Sequence, residues 1–128
     1  MIDHTGLVVS DIKASTAFYR QALSAIGYAL IMELPAELTG HGDVAGFGEP
    51  PKPDFWIGQG TPNVPPIHVA FRVANRALVD AFHAAALAAG GRDNGAPGLR
   101  PHYHPDYYGA FVLDPDGHNI EAVCHAPA

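Results

Sequence analysis

Residues 2–9 read IDHTGLVV and residues 67–73 read IHVAFRV, and the recurrence of this pattern is the main sequence evidence for the fold. Each segment is a short apolar strand that contains one histidine. A residue suited to cap the N-terminus of a helix follows each strand, Asp11 in the first case and Asn75 in the second. The sequence therefore predicts two units that begin in the same way.

Each predicted strand leads into a helix that ends at glycine. The first helix runs to Ile26 with Gly27 after it, and the second stops at the two glycines Gly90 and Gly91. The residues predicted to face inward are Ile12, Phe18, Tyr19, Leu23 and Ile26 in the first helix and Leu78, Phe82 and Ala85 in the second.

Short strands separated by turn residues follow both helices. They are predicted at 28–34, 44–47 and 55–57 in the first half, and at 91–94, 110–113 and 119–124 in the second. The unit is βαβββ, used twice, with module one at about 1–60 and module two at about 66–125. Since neither half can cover its own sheet, we expect an α+β fold in which both modules form one domain over residues 1–128.

The two histidines fall at matched positions of the repeat. Alternation along a strand places His4 with Gly6 and His68 with Ala70, on the face opposite the apolar residues that pack on the helix. If the modules are related by a pseudo-two-fold axis, both imidazoles converge on one cavity. That arrangement is typical of a metal site.

Glu121 supplies the third candidate ligand. It is the only ionisable residue of the strand 119–124, so it either faces water or binds a partner. His4, His68 and Glu121 form a set of two histidines and one carboxylate, which suits Fe, Mn, Zn, Ni or Co. Three protein ligands leave coordination positions free for a substrate, as in catalytic metal sites.

The composition excludes several classes of partner. The chain has 7 Lys plus Arg against 13 Asp plus Glu, a formal net charge of −6, and 8 histidines. No basic stripe is available to bind nucleic acid or an anionic membrane. A single cysteine and the absence of a leader or long apolar run favour a cytoplasmic protein.

The chain resembles the vicinal oxygen chelate superfamily, which includes glyoxalase I, bleomycin-resistance and fosfomycin-resistance proteins and extradiol dioxygenases. The resemblance rests on the segments 4–11, 67–71 and 111–121, with Phe18 and Tyr19. It implies paired βαβββ modules whose curved mixed sheets enclose a metal cavity. It also implies His4, His68 and Glu121 as ligands, and a homodimer whose cavity is formed within one chain or across subunits.

The sequence departs from the named branches. Where glyoxalase I carries a fourth ligand, this chain has Trp56 or Ile57, neither of which binds metal. Fosfomycin-resistance enzymes have threonine where this chain has Gly6, and bleomycin-binding members lack the metal ligands. We therefore expect a lyase or isomerase of glyoxalase type, ranked narrowly above a dioxygenase, acting on a small oxygen-chelating substrate. The alternative is a non-catalytic protein that binds an antibiotic or metabolite.

A loop rich in proline, tyrosine and histidine is predicted at 98–109 and leads into the strands that end at Glu121. Loops of this kind supply acid, base and anion-binding groups. The candidates are Tyr103, His104 and Tyr108 for catalysis and Arg100 for an anionic group. Trp56 is the candidate wall of the substrate cavity.

Overall fold

Two sheets, each with one long helix against it, make up the computed structural model, which describes residues 1–128. The elements of module one are β1 Thr5–Val9, α1 Ile12–Ser24, β2 Ala29–Leu34, α2 Ala36–Thr39, β3 Val44–Gly48 and β4 Phe55–Gln59. The elements of module two are β5 His68–Arg72, α3 Arg76–Ala88, β6 Arg92–Leu99, β7 Tyr108–Leu113 and β8 Asn119–Cys124. The α+β fold of two βαβββ modules is confirmed; α2 is a short helix that the sequence did not predict.

The two sheets have the same strand order. It is β1-β4-β3-β2 in one and β5-β8-β7-β6 in the other, with the first strand of each module parallel to the last and the remaining pairs antiparallel. The strands that begin at or directly after the two histidines, β1 and β5, are therefore edge strands of their sheets. Thr5 is the first residue of β1, so His4 precedes the strand instead of lying within it.

The helices begin where their caps predict. The Asp11 side chain accepts from the backbone N–H of Ala14 at 3.2 Å, and Asn75 accepts from Leu78 at 3.0 Å. The buried face of α1 is Ser15, Phe18, Tyr19, Ala22 and Leu23. That of α3 is Val79, Phe82 and Ala86, which confirms Phe82, while the predicted Leu78 is only partly buried against the core and Ala85 is half-buried.

Strand β6 is longer than the sequence predicted. It runs to Leu99 although it contains glycine and proline, with register shifts between Asp93 and Gly95 and again before Gly98. An edge strand tolerates Pro97 because the N–H that proline lacks would have faced away from the sheet. The connecting loop is therefore confined to residues 100–107.

The modules share one apolar core of 20 buried residues. The rings of Phe55 and Phe71 meet edge to face with 5.3 Å between centroids, and α1 packs against α3. None of the helices combines the length and apolar character that crossing a bilayer requires.

A buried histidine joins the first strands of the modules. The His118 ring, which is 0% exposed, accepts at Nδ1 from the backbone N–H of Ile67 at 2.9 Å. Its Nε2 lies 2.9 Å from the Val8 carbonyl oxygen, so it is the protonated nitrogen. The imidazole thus links β1 to the residue before β5 and fixes how the two sheets are placed.

Candidate functional site

The open face of the second sheet carries a histidine and glutamate pair. In the parallel register of β5 and β8, Glu121 pairs with Ala70, two residues after His68, so the three side chains share one face. His68 Nε2 lies 2.9 Å from Glu121 Oε1. The glutamate side chain is 1% exposed and the histidine side chain 51% exposed. A buried carboxylate is thus contacted by an imidazole that remains open to ligands.

Tyr107 completes this cluster and was not among the predicted site residues. Its hydroxyl donates to Oε2 of Glu121. Burial, followed by the hydrogen bond and the negative charge of Glu121, holds the pKa of the Tyr107 hydroxyl well above its usual value. Gly109 makes room for the contact, since a Cβ there would lie 3.2 Å from Glu121 Oε2 and 3.2 Å from Tyr107 Cε1.

Strand alternation explains why Tyr107 and not Tyr108 reaches the site. Phe111 is paired with Glu121 in the antiparallel register of β7 and β8, so residues 109 and 107 fall on the same side. Tyr108 points to the helix side, where its hydroxyl donates to Asp80 at 2.7 Å and Arg76 stacks 5.1 Å from its ring centroid. Of the predicted catalytic residues, Tyr108 is therefore not brought to the site.

The predicted residues Tyr103 and His104 surround Tyr107. The Tyr103 ring is 59% exposed, and its centroid lies 4.8 Å from that of Tyr107. His104 accepts at Nδ1 from the N–H of Asp106 at 3.1 Å, and its Nε2 lies 2.7 Å from Nδ1 of His125. The Tyr107 side chain thus lies between both of these residues and Glu121.

Arg100 lies on the same side of the sheet. Its backbone N–H donates to the Tyr107 carbonyl oxygen at 2.7 Å, closing the loop, and its guanidinium stands 5.4 Å from the Phe111 ring centroid. The Phe111 centroid is in turn 6.2 Å from that of His68. The predicted anion-binding residue therefore borders the candidate site.

His4 is not brought to Glu121 within the chain. Its Nδ1 lies 2.7 Å from Asp3 Oδ2, and its side chain is 61% exposed. It shares with His68 the lining of a groove of about 350 Å³ between the modules, but Glu121 does not line that groove. No three His, Cys, Asp or Glu side chains of one chain converge as metal ligands.

Trp56 forms part of the open face of the first sheet. It pairs with Gly6 across β1 and β4, and together with His4, Thr5 and Val44 these residues line a shallow concavity of about 440 Å³. Gly46 leaves space for the indole, because a Cβ there would lie 2.9 Å from two of its ring carbons. The only tryptophan is thus a wall of the surface that carries His4.

Paired βαβββ modules with a histidine and a buried glutamate on an open sheet face define a glyoxalase-like protein. The chain belongs to the Glyoxalase/Bleomycin resistance protein/Dioxygenase superfamily, whose family model matches residues 1–122. No curated protein matches the sequence significantly.

Solved structures of the same superfamily are similar over nearly the whole chain. A glyoxalase/bleomycin resistance protein from Albidiferax ferrireducens has 25% identity and a TM-score of 0.75, with 98% of each chain covered. A glyoxalase I mutant from Zea mays has 22% identity and a TM-score of 0.69; the match covers 95% of this chain and 46% of the maize chain.

A fosfomycin resistance protein, FosX from Listeria monocytogenes, is also similar in fold. It has 18% identity and a TM-score of 0.67, with 96% of this chain and 88% of that chain covered. Its structure was determined with Mn(II) and 1S,2S-dihydroxypropylphosphonic acid. Enzymes of two different activities thus share this fold.

Proposed function

We propose that the protein is a metal-dependent enzyme of glyoxalase type that acts on a small oxygen-chelating substrate. The observation that carries the proposal is the burial of the Glu121 carboxylate, which is 1% exposed. Its oxygens are paired only with the His68 imidazole and the Tyr107 hydroxyl. Burying a carboxylate is costly unless its charge is fully compensated, and one half-exposed imidazole and one hydroxyl supply only part of that compensation. A divalent ion would supply the missing charge.

The donor set fits such an ion. One imidazole and one carboxylate on the same face, with a second imidazole from His4, make the set that first-row metals from Mn to Zn accept. The ion would act as a Lewis acid on two vicinal oxygens of the substrate. Tyr107 fixes the glutamate carboxylate, while Tyr103 and His104 are the side chains of the loop that could move protons. A lyase or isomerase reaction ranks above a dioxygenase reaction.

His4 would come from a second copy of the chain. Within one chain it bonds to Asp3 and stays apart from Glu121. The helix-free faces of both sheets lack a cover, since Gly6, Met32 and Ala70 are exposed there. A homodimer that brings these faces together would join His4 of one copy to His68 and Glu121 of the other.

Mixing two inactive variants tests this arrangement. His4→Ala and Glu121→Gln homodimers are each expected to bind no metal. In their heterodimer, one site combines His4 from one chain with His68 and Glu121 from the other, so stoichiometric metal binding should return to one of the two sites. If all three ligands came from a single chain, each site of the heterodimer would still lack one ligand, and mixing would restore no metal binding.

The fluorescence of Trp56 is expected to report metal at this site. Trp56 lies beside Gly6 on the surface that carries His4, and Co(II) quenches indole emission at short range. Adding Co(II) should quench wild-type emission in a saturable manner, and His4→Ala should abolish the saturable part. His41→Ala, which removes a histidine from a loop outside the site, is the control and should behave as wild type. Equal quenching of the His4→Ala variant would exclude His4 as a ligand.

Tyr107→Phe should weaken metal binding without removing a ligand. The tyrosine hydroxyl holds Oε2 of Glu121, and loss of such an outer hydrogen bond typically costs about 10–100-fold in metal affinity. Titration with Mn(II), followed by the electron paramagnetic resonance of the free ion, measures the change. Tyr103→Phe is the matched control, and an unchanged affinity in Tyr107→Phe would show that the hydroxyl does not orient the carboxylate.

A second candidate function is non-catalytic binding of a cationic antibiotic or metabolite. The groove between the modules favours it, since Asp3 and Asp54 lie there with Tyr28, Phe55 and Phe71. Binding of this kind should survive a chelator and the Glu121→Gln substitution, whereas the enzyme requires the metal. For either function we place the protein in the cytoplasm, where the buried thiol of Cys124 stays reduced.

A further inference from the structure

The Arg100 guanidinium is held in a fixed position. Nη1 donates to the Gly98 carbonyl oxygen and Nη2 to that of Ala96, both at 2.8 Å. The guanidinium also stacks over the Phe111 ring at 5.4 Å. Arginine has five N–H hydrogens, so these two bonds leave three for another acceptor.

Two glycines of β6 make space for this arrangement. A Cβ on Gly95 would lie 3.1 Å from Arg100 Nη2 and 2.9 Å from Phe111 Cδ1, and one on Gly98 would lie 3.3 Å from Nη1. Gly95 also has a φ of +150°, which side chains rarely adopt. The backbone of the bulged strand is therefore shaped around the guanidinium.

The charge of Arg100 has no counter-ion. The chain's ion pairs involve His4, Lys52, His68 and His83 but not this arginine. The two groups that hold it are neutral carbonyls, in a chain whose net charge is −6. A half-buried guanidinium with free hydrogens and no carboxylate partner is suited to bind an anion.

Arg100 is close to the Glu121 cluster. Its backbone N–H bonds to Tyr107, whose hydroxyl bonds to Glu121. The Phe111 ring lies between the guanidinium and the His68 imidazole, 5.4 Å from the first and 6.2 Å from the second. One small molecule can therefore span the distance between the arginine and the metal-ligand pair.

We infer that Arg100 forms a carboxylate-binding subsite and that the substrate carries a carboxylate in addition to its two chelating oxygens. The planar fork of the guanidinium matches a carboxylate through two parallel hydrogen bonds. The inference deepens the proposed function and rests on it for the chelating end of the substrate.

The first experiment needs no metal. Benzoate is titrated into the metal-free protein and followed by nuclear magnetic resonance, through the Arg100 Nε–H signal in wild type and through the backbone N–H signals of the neighbouring Gly95 and Gly98 in every variant. In wild type we expect a saturable shift, and in Arg100→Gln a loss of affinity of at least about fivefold. Arg72→Gln is the matched control. It also removes one arginine charge, but from an exposed residue of β5 on the sheet face that carries His68. Equal affinity for benzoate in wild type and Arg100→Gln would overturn the inference.

The second experiment uses the Mn(II)-loaded protein and two ligands that differ only in charge, 3,4-dihydroxybenzoate and 3,4-dihydroxybenzamide. Both offer the same vicinal oxygens, so a preference of at least about fivefold for the carboxylate, lost in Arg100→Gln, supports the subsite. Equal binding of the two ligands by wild type would contradict it. A protein that binds benzoate through Arg100 but no Mn(II) would disprove the metal-dependent function and leave the anion subsite standing.

Discussion

Glu121→Gln is expected to abolish metal binding and to leave the metal-free protein at least as stable as wild type. Glutamine keeps the shape of the side chain and can still accept from Tyr107 and donate to His68. It removes a buried charge that, in the absence of metal, is compensated only by these two neighbours. A residue kept for function at the expense of stability should show these two effects with opposite signs.

The expected sizes are large enough to measure. Loss of an outer hydrogen bond already costs about 10–100-fold in metal affinity, so loss of the ligand charge should cost more than about 100-fold. Titration calorimetry with Mn(II) measures the affinity, and urea unfolding of the chelator-treated protein measures the stability. The free energy of unfolding is expected to stay equal or to rise by about 1 kcal/mol.

Asp114 provides a matched control because it is the other carboxylate that is 1% exposed. Its oxygens accept from the Tyr19 hydroxyl at 2.6 Å and from the N–H groups of Asp116 and His118 at 2.9 and 2.8 Å. Asp114→Asn should therefore destabilise the protein by about 1–3 kcal/mol and leave metal affinity unchanged. If Glu121→Gln were destabilising to the same extent, Glu121 would be a structural anchor and not a ligand.

The repeat made most of the architecture predictable. Two strand, cap and helix units separated by half the chain specify the βαβββ modules, and alternation places His68 on the open face of its sheet. Glu121 could be singled out because a lone ionisable residue in an apolar strand needs a partner. These inferences need only local periodicity, which sequence carries directly.

The rest of the site depends on register and assembly. Whether Tyr107 or Tyr108 faces Glu121 is decided by the pairing of β7 with β8, and a shift by one residue would exchange them. The strand character of residues 95–99 was hidden by glycine and proline, so the carbonyls that hold Arg100 could not be anticipated. Within one chain His4 lies apart from Glu121, and the pairing of two copies that we propose to join them is not encoded in local pattern.

His118 lies in the turn between β7 and β8 and is fully buried, and its environment predicts a large loss of stability when it is replaced. His118→Ala would leave the Ile67 N–H and the Val8 carbonyl without their partner. Each orphaned group costs about 1–3 kcal/mol, and removal of a fully buried ring adds a cavity. The free energy of unfolding should fall by about 4 kcal/mol, and the Tm by roughly 10–20 °C.

Two conservative variants separate the hydrogen bonds from the packing. Asparagine places its amide oxygen near the position of the imidazole Nδ1 and can still accept from Ile67, whereas glutamine places its amide nitrogen near Nε2 and can still donate to Val8. Each should lose about half of what alanine loses, as measured by urea unfolding. His41→Ala, which removes an exposed histidine from a loop, is the control and should cost less than about 1 kcal/mol.

The same variants test whether His118 acts beyond stability. The imidazole links β1, next to His4, to the start of β5, which carries His68, so its loss should change the angle between the sheets before it unfolds either one. If that angle positions the open faces for pairing, His118→Asn and His118→Gln should weaken dimerisation at temperatures where both variants remain folded. Sedimentation at a series of protein concentrations measures this, and an unchanged dimer constant would confine the role of His118 to the core of a single chain.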